Sequence, residues 1–241
     1  MWLVLAQHWD GTAWWAWRGL AARGLAPIEF VSVDELTTGT RWVHTVGLSG
    51  AGFEARLPRG QLLRSDDIDG VLNRIGFVPP SAVAALDMGD REYASQELGA
   101  FFLSWLFSIR GPVLNRPTAR GLAGAWRSPV EWSWLAGQCG LPSTPYTSGS
   151  DVDGSRPPPD ASLLAIVIGD HVVGDELPDD LRAGCRRLAR QADTPVLGIW
   201  FERRPFGGPV FARADLLPPL ERGGDSSLDA LAKTLQDGPP W

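Results

Sequence analysis

An α/β fold with a parallel-sheet first part and a smaller α+β second part is the class this sequence predicts, and three features predict it. Short apolar β-type runs alternate with helical stretches through the first half, the pattern of strands joined by helical crossovers. A run rich in Pro, Gly, Ser and Asp over 144–160 then interrupts the chain, and a strand pair, a helix and two more strands follow it. Finally, 241 residues with 44% hydrophobic side chains can bury a sizeable core. The expected division is 1–145, a linker over 146–160, and 161–241.

The elements follow in order. Trp2-Leu-Val-Leu-Ala6 is an apolar run of strand length. A helix is expected over 12–23, stopped by Gly24, and a strand over 28–33 with a short helical turn from Asp34. Runs at 43–48 and 53–57, split by a Gly-Ala-Gly turn, predict a β-hairpin. The tetrapeptide Val-Leu-Asn-Arg occurs twice, at 71–74 and 113–116, each time at the end of an expected strand (70–74 and 112–116). Between them, Leu98, Phe101, Phe102, Trp105, Leu106 and Ile109 recur at helical spacing and predict a helix over 90–109 with one wide apolar stripe. Ser128 as cap and Pro129 at the first position predict a helix over 128–138. Beyond the linker come a hairpin over 162–168 and 171–173, a helix over 177–192, strands over 196–201 and 210–214, and a last helix over 227–236.

Composition removes several classes of function. The formal charge of −6, with basic residues mixed among acids, argues against a nucleic-acid backbone as partner. The longest apolar stretch, 98–109, is too short to span a bilayer, and the apolar start lacks the basic flank of a signal peptide, so a cytoplasmic protein is expected. Cys139 and Cys185 are expected as free thiols. There is no G-x-x-x-x-G-K-[ST] or G-x-G-x-x-G motif. Gly47-Leu-Ser-Gly-Ala51 is not a nucleophile elbow, and Asp151-Val-Asp-Gly-Ser155 has its glycine too early for a calcium loop. His8, His44 and His171 lie at no metal-ligand spacing, and Asp66, Asp67 and Asp69 suit a solvated turn.

Two groups of residues stand out as candidates. In an open parallel sheet, ligands gather beyond the carboxyl ends of the strands. Asn73, Arg74, Asn115 and Arg116 occupy that place, and two guanidinium forks with two amides suit a carboxylate, a peptide carbonyl or a phosphate. The competing role is structural, each arginine pairing with an acid such as Asp66 or Asp67. Trp14, Trp15 and Trp17 offer either core packing or an aromatic interface.

The helix containing Trp132 to Cys139, running into Gly140-Leu-Pro-Ser-Thr-Pro145, resembles the pre-ATP-grasp domain of ATP-grasp ligases, in the group that modifies peptides. The second half is similar as well, through Leu163-Leu-Ala-Ile-Val-Ile-Gly-Asp-His-Val-Val-Gly174, Val196-Leu-Gly-Ile-Trp-Phe201 and Val210-Phe-Ala-Arg-Ala-Asp-Leu-Leu-Pro218. The resemblance implies a lysine-bearing lobe over the nucleotide, yet only the 147–160 stretch fills that interval and the chain's one lysine is Lys233. It also implies magnesium ligands at the positions of Trp200, Arg213 and Asp215. Tryptophan cannot ligate magnesium and arginine repels it; the ion needs hard oxygen donors.

The expectation that follows is a shortened ATP-grasp-like protein with no cofactor. It would act as a peptide- or substrate-binding module, or as the partner of a biosynthetic enzyme, with a second copy of the chain among the candidate partners. Two alternatives stand beside it. One is a ligase completed in trans by another protein. The other is an enzyme with new chemistry in the first crevice, using Asn73, Arg74, Arg116, Tyr93 and Glu97.

Overall fold

The computed structural model describes residues 1–48, 50–144, 161–204 and 207–239. Most of the 144–160 stretch, with its expected linker, lies outside the described residues. Two four-stranded sheets and one three-stranded sheet form the framework. The first sheet contains β1 (Trp2–Ala6), β2 (Ile28–Ser32), β6 (Gly70–Arg74) and β7 (Val113–Leu114). Its order is β2-β1-β6-β7, and every pairing is parallel. The crossovers are helical: α1 (Gly11–Ala21) joins β1 to β2 and α3 (Met88–Ser108) joins β6 to β7.

Local chemistry explains the helix starts. The Asp10 carboxylate caps α1 by accepting from the Ala13 N–H. Ser32 and Glu35 form a reciprocal capping box at α2 (Val33–Thr37), and Ser128 and Glu131 do the same at α4 (Pro129–Gln138). The Leu98–Ile109 stripe packs as its spacing predicts: Phe102, Trp105 and Leu106 are fully buried, and Ile109 sits just past the helix end.

The small sheet pairs β3 (Arg41–Gly47), β4 (Gly50–Arg56) and β5 (Leu62–Arg64), all antiparallel. A hairpin forms here as the sequence suggests, but Gly50-Ala51-Gly52, expected as its turn, opens β4 and pairs with 45–47 of β3. Strand β5 has no counterpart among the expected elements, because three residues are too few to show a period. Its Leu63 is buried in the core beneath α3.

The last sheet is antiparallel, in the order β11-β10-β8-β9, from β8 (Ala161–Ile168), β9 (His171–Gly174), β10 (Val196–Glu202) and β11 (Val210–Asp215). α5 (Asp179–Gln191) covers one face together with α4 through Trp132, Leu135, Leu181, Cys185 and Leu188. α6 (Gly224–Asp237) covers the other. There Leu228, Leu231 and Leu235 meet Ala13, Ala16 and Leu20 of α1, and also Leu164, Ile166 and Ile168 of β8. One core is therefore shared by the parallel and the antiparallel sheet. A Cβ on Gly198 of β10 would lie 2.7 Å from the Pro218 Cβ, so glycine is needed where the 216–220 segment crosses that strand.

Strand β7 is shorter than its sequence suggests. Asn115 adopts φ +58°, a left-handed conformation that asparagine tolerates and that ends the strand. Its side chain then turns toward the other sheet. The Asn115 Nδ2 donates to the Val196 and Leu216 carbonyls at 2.8 and 2.9 Å, and Oδ1 accepts from the Val196 N–H at 2.9 Å. Removing this amide leaves three main-chain groups without partners between the sheets. We expect Asn115→Ala to cost about 2–4 kcal/mol of folding stability, read from urea denaturation. A loss below about 1 kcal/mol would show that the tie contributes little.

Candidate functional site

The repeated Val-Leu-Asn-Arg ends lie in the interior except for Arg116, which is half-buried. Asn73, Arg74 and Asn115 are each at most 5% exposed. The Asn73 Nδ2 donates to the Asn115 and Leu122 carbonyls at 2.8 and 2.7 Å, and its Oδ1 accepts from the Ile75 N–H at 3.1 Å. The Arg74 Nε lies 2.7 Å from the Asp10 carboxylate, and its Nη1 donates to the Pro218 carbonyl at 3.0 Å. The acid beside Arg74 is thus the α1 cap, Asp10, rather than Asp66 or Asp67, because the parallel register brings the end of β1 beside β6. Arg116 donates to the Leu106 and Gly111 carbonyls and lies over the Phe107 ring at 5.4 Å; burial lowers its pKa. Asn115 and Arg74 bind the carboxyl edge of the first sheet to the second sheet and the segment after it, while Asn73 ties the loops at that edge to one another. Tyr93 and Glu97 lie on the exposed side of α3.

The three histidines sit apart. His8 Nδ1 lies 2.8 Å from the Asp34 carboxylate, His44 lies beside Ser104, and His171 is exposed on β9. Both thiols are buried, and burial pushes the Cys185 pKa up to about 12.

An open cleft of ≈ 530 Å³ lies beside these ties. Its walls are Gly76 after β6, the 121–127 loop, Pro129 and Trp132 of α4, and the 213–217 end of β11. Its surface is mostly apolar, with Trp126 58% exposed, and its charged groups are Arg127, Arg213 and Asp215. The Arg127 guanidinium lies over the Trp132 ring at 5.1 Å and donates to the Ala125 and Ala192 carbonyls. Burial is the main cause lowering its pKa, with the Arg120 charge adding to it. Sequence reasoning missed Arg127 and Trp126, which lie in a loop without periodicity and become neighbours of β11 only through the fold.

The expected metal positions are close together on the second sheet. Trp200 and Arg213 are cross-strand partners, and Asp215 pairs with Gly198. The Arg213 guanidinium lies 4.3 Å from the Trp200 ring centroid and Arg222 lies 5.3 Å from it. The Trp200 indole N–H is buried with no acceptor among the described residues. One Asp215 oxygen accepts from the Leu217 N–H at 3.0 Å, and the other is 3.8 Å from Arg213. An indole, a cation and one engaged carboxylate do not fit magnesium, which takes hard oxygen ligands. Among the described residues, no three His, Cys, Asp or Glu side chains gather where they could hold a metal ion.

Trp14, Trp15 and Trp17 lie along α1. Trp14 stacks on Phe30 at 3.9 Å and donates its indole N–H to the His8 carbonyl; the Trp17 indole donates to the Ile28 carbonyl. Trp14 and Trp15, with Arg18 and Leu228, line a second, shallower groove between α1 and α6.

No protein-family model matches the chain, and no curated protein matches it in sequence. Solved structures do match. The macrocyclase MdnB of Microcystis aeruginosa MRC superposes with a TM-score of 0.71 at 18% identity, over 98% of this chain and 99% of that one. The fold is ATP-grasp-like. A RiPP-associated ATP-grasp ligase of Chryseobacterium gregarium, solved with ADP and a leader and core peptide, gives a TM-score of 0.72 at 15% identity over 99% and 97% of the two chains. The D-alanine-D-alanine ligase of Aeromonas hydrophila is more distant, at 0.52 and 16% identity over 95% and 98%. In this ATP-grasp-like chain, as the sequence resemblance implied, the fold runs through both sheets. No helix among the described residues is long and apolar enough to cross a membrane.

The Ser128–Glu131 box holds α4, and hence Trp132, against the cleft. The Glu131 carboxylate accepts from Arg120 at 2.7 and 3.0 Å and from the Ser128 N–H at 2.7 Å. The Arg120 hydrogen bond first, then the Ser128 N–H, lower its pKa from 4.5 to about 2. A carboxyl depressed in the folded state stabilises fully above its unfolded pKa, and that contribution fades as pH falls through the folded value. The loss window is therefore about pH 4.5 down to 2. We expect the melting temperature of Glu131→Gln to fall less steeply than that of the parent across this window. Parallel curves would show that the carboxylate is not coupled to folding.

Proposed function

We propose that this chain is a peptide-binding protein on an ATP-grasp-like fold, serving a peptide-modifying system, and that it does not by itself drive ATP-dependent ligation. The observation that carries this is the stack of Arg213 on Trp200. A guanidinium and an indole stand where the resemblance places magnesium ligands, and a cation there repels the ion that would bridge the phosphates. A binding role is supported by the cleft beside that stack, which is concave, mostly apolar and edged by a few polar groups, as ligand sites are.

The peptide as ligand class is supported by neighbours in fold. The C. gregarium ligase was solved with a leader and core peptide, and the M. aeruginosa macrocyclase MdnC with its precursor peptide. For this chain the partner is a peptide or the protein that carries it. The buried ties Asn73, Arg74 and Asn115 serve to hold the cleft walls in place. The tryptophans of α1 form a second surface available to a partner.

Isothermal titration of the purified chain with Mg²⁺-ATP tests the proposal. We expect no heat of binding at millimolar nucleotide. Micromolar binding would overturn the non-ligating role and bring forward a ligase, complete or completed by a partner.

A further inference from the structure

One border of the small sheet is open. β3 forms that border, and among the described residues only β4 pairs with it. The Phe53 N–H donates to the Ser65 Oγ at 2.9 Å, away from β3. Phe53 lies across from His44, so these two are a pair that exchanges no ladder hydrogen bond. By the alternation of an antiparallel ladder, the main-chain N–H and C=O groups of Trp42, His44 and Val46 point outward from the sheet. Edges of natural sheets are short, or carry charges, proline or a bulge that blocks a further strand. β3 runs for seven residues, contains no proline and bears its one full charge at Arg41, its first residue. The other border, β5, has three residues. Trp42 stacks on Phe101 at 5.1 Å and His44 lies beside Ser104, so α3 holds β3 from behind.

Charge decides what fits there. Arg41 and Arg56 stand directly opposite one another on β3 and β4, and both are exposed. Like charges in that position oppose pairing. Among the described residues neither has a carboxylate within ion-pairing distance. Arg56 donates to the Gly60 carbonyl, and Glu54, on the same face, is taken by Arg64 at 3.1 Å. Beside them Val43, Thr45 and Gly52 line a hollow of ≈ 240 Å³ that runs to Asp66 beyond β5. We infer that β3 takes an extended segment of a partner protein as a fourth strand, one whose side chains alternate apolar and polar and include a carboxylate across from Arg41. The main-chain groups of 42, 44 and 46 supply the hydrogen bonds, as in strand addition at a sheet edge. The carboxylate offsets the repulsion between Arg41 and Arg56, and a small polar side chain enters the hollow. The apolar side chains lie beside Val46, which is 73% exposed. A second copy of β3 fits less well, because it brings another Arg41 and no acid. This edge and its hollow share no residue with the cleft, so the inference stands or falls apart from the function proposed above.

The test uses the full chain and two synthetic peptides, acetyl-Glu-Val-Thr-Val-Thr-Val-Glu-amide and its twin with lysine at both ends. An acid at each end lets either strand direction place one across from Arg41. Binding is read by calorimetry, and amide hydrogen exchange by NMR. We expect the glutamate peptide to bind at least ~3-fold more tightly than its twin, the scale of an opposite-charge cross-strand pair. The chain's net charge of −6 alone would favour the lysine twin. Binding should slow exchange at the Trp42, His44 and Val46 amides. Arg41→Glu should reverse the preference. Val46→Pro removes an outward N–H and keeps the bonds to β4, so it should abolish binding of both peptides while the unfolding transition stays cooperative. Arg41→Glu and the amide protection keep the test decisive if Val46→Pro fails to fold. No binding of the glutamate peptide at millimolar concentration, equal binding of the twins, an unaltered preference in Arg41→Glu, binding retained in a folded Val46→Pro, or binding without protection of those amides would each overturn the inference. A dimer seen by sedimentation and lost in Val46→Pro would overturn it in favour of a second copy.

Discussion

The Asn115 amide is the constraint on which the arrangement of the two sheets depends. It leaves β7 in a left-handed turn and makes three hydrogen bonds, two to Val196 at the start of β10 and one to Leu216 just past β11. Asn73 supports it by donating to the Asn115 carbonyl, and Arg74 adds a bond to Pro218. A buried polar network of this kind is costly unless every member is satisfied. Once satisfied, it permits one relative placement of the partners. The shared apolar core of α1, α6 and β8 supplies the bulk of the attraction between the sheets, which is nondirectional. The amides supply the register.

That placement creates the cleft. Its near wall is the loop after β7 and the start of α4, and its far wall is the end of β11. The same crossing of 216–220 over Gly198 that receives the Asn115 and Arg74 bonds also brings Asp215, Leu216 and Leu217 to the cleft. Site and scaffold are therefore coupled: the residues that tie the sheets are neighbours of those that line the cleft.

The electrostatic character of the site differs from that of a metal centre in a physical way. A magnesium ion brings concentrated charge and demands oxygen ligands. An arginine on an indole brings a delocalised charge, fixed in orientation, with donors directed at the edge. An ATP-grasp-like fold is compatible with this change because fold and chemistry are separable; function lives in the side chains placed on the frame.

Much of the frame was legible in the sequence. Capping boxes at Ser32 and Ser128, the Leu98–Ile109 stripe and the short apolar strands are local signals, decided by neighbours within a few residues. The side-chain chemistry of Trp200 and Arg213 is a property of residue identity alone, since neither an indole nor a guanidinium offers the oxygen that magnesium takes. Strand β5 and the end of β7 were not, because one is too short for a period and the other is ended by a tertiary hydrogen-bond network. The repeated Asn-Arg pairs looked like ligand donors at strand ends, but sequence could not show that main-chain groups of neighbouring loops and of the second sheet take up their donors. Arg127 and Trp126 gained meaning only when folding set them across from β11. The sequence by itself determined the elements and the kinds of atoms available, because those depend on local propensity and residue chemistry. Only the tertiary structure decided which polar groups bind one another and which face the cleft, because that depends on contacts between residues as far apart as 115 and 216.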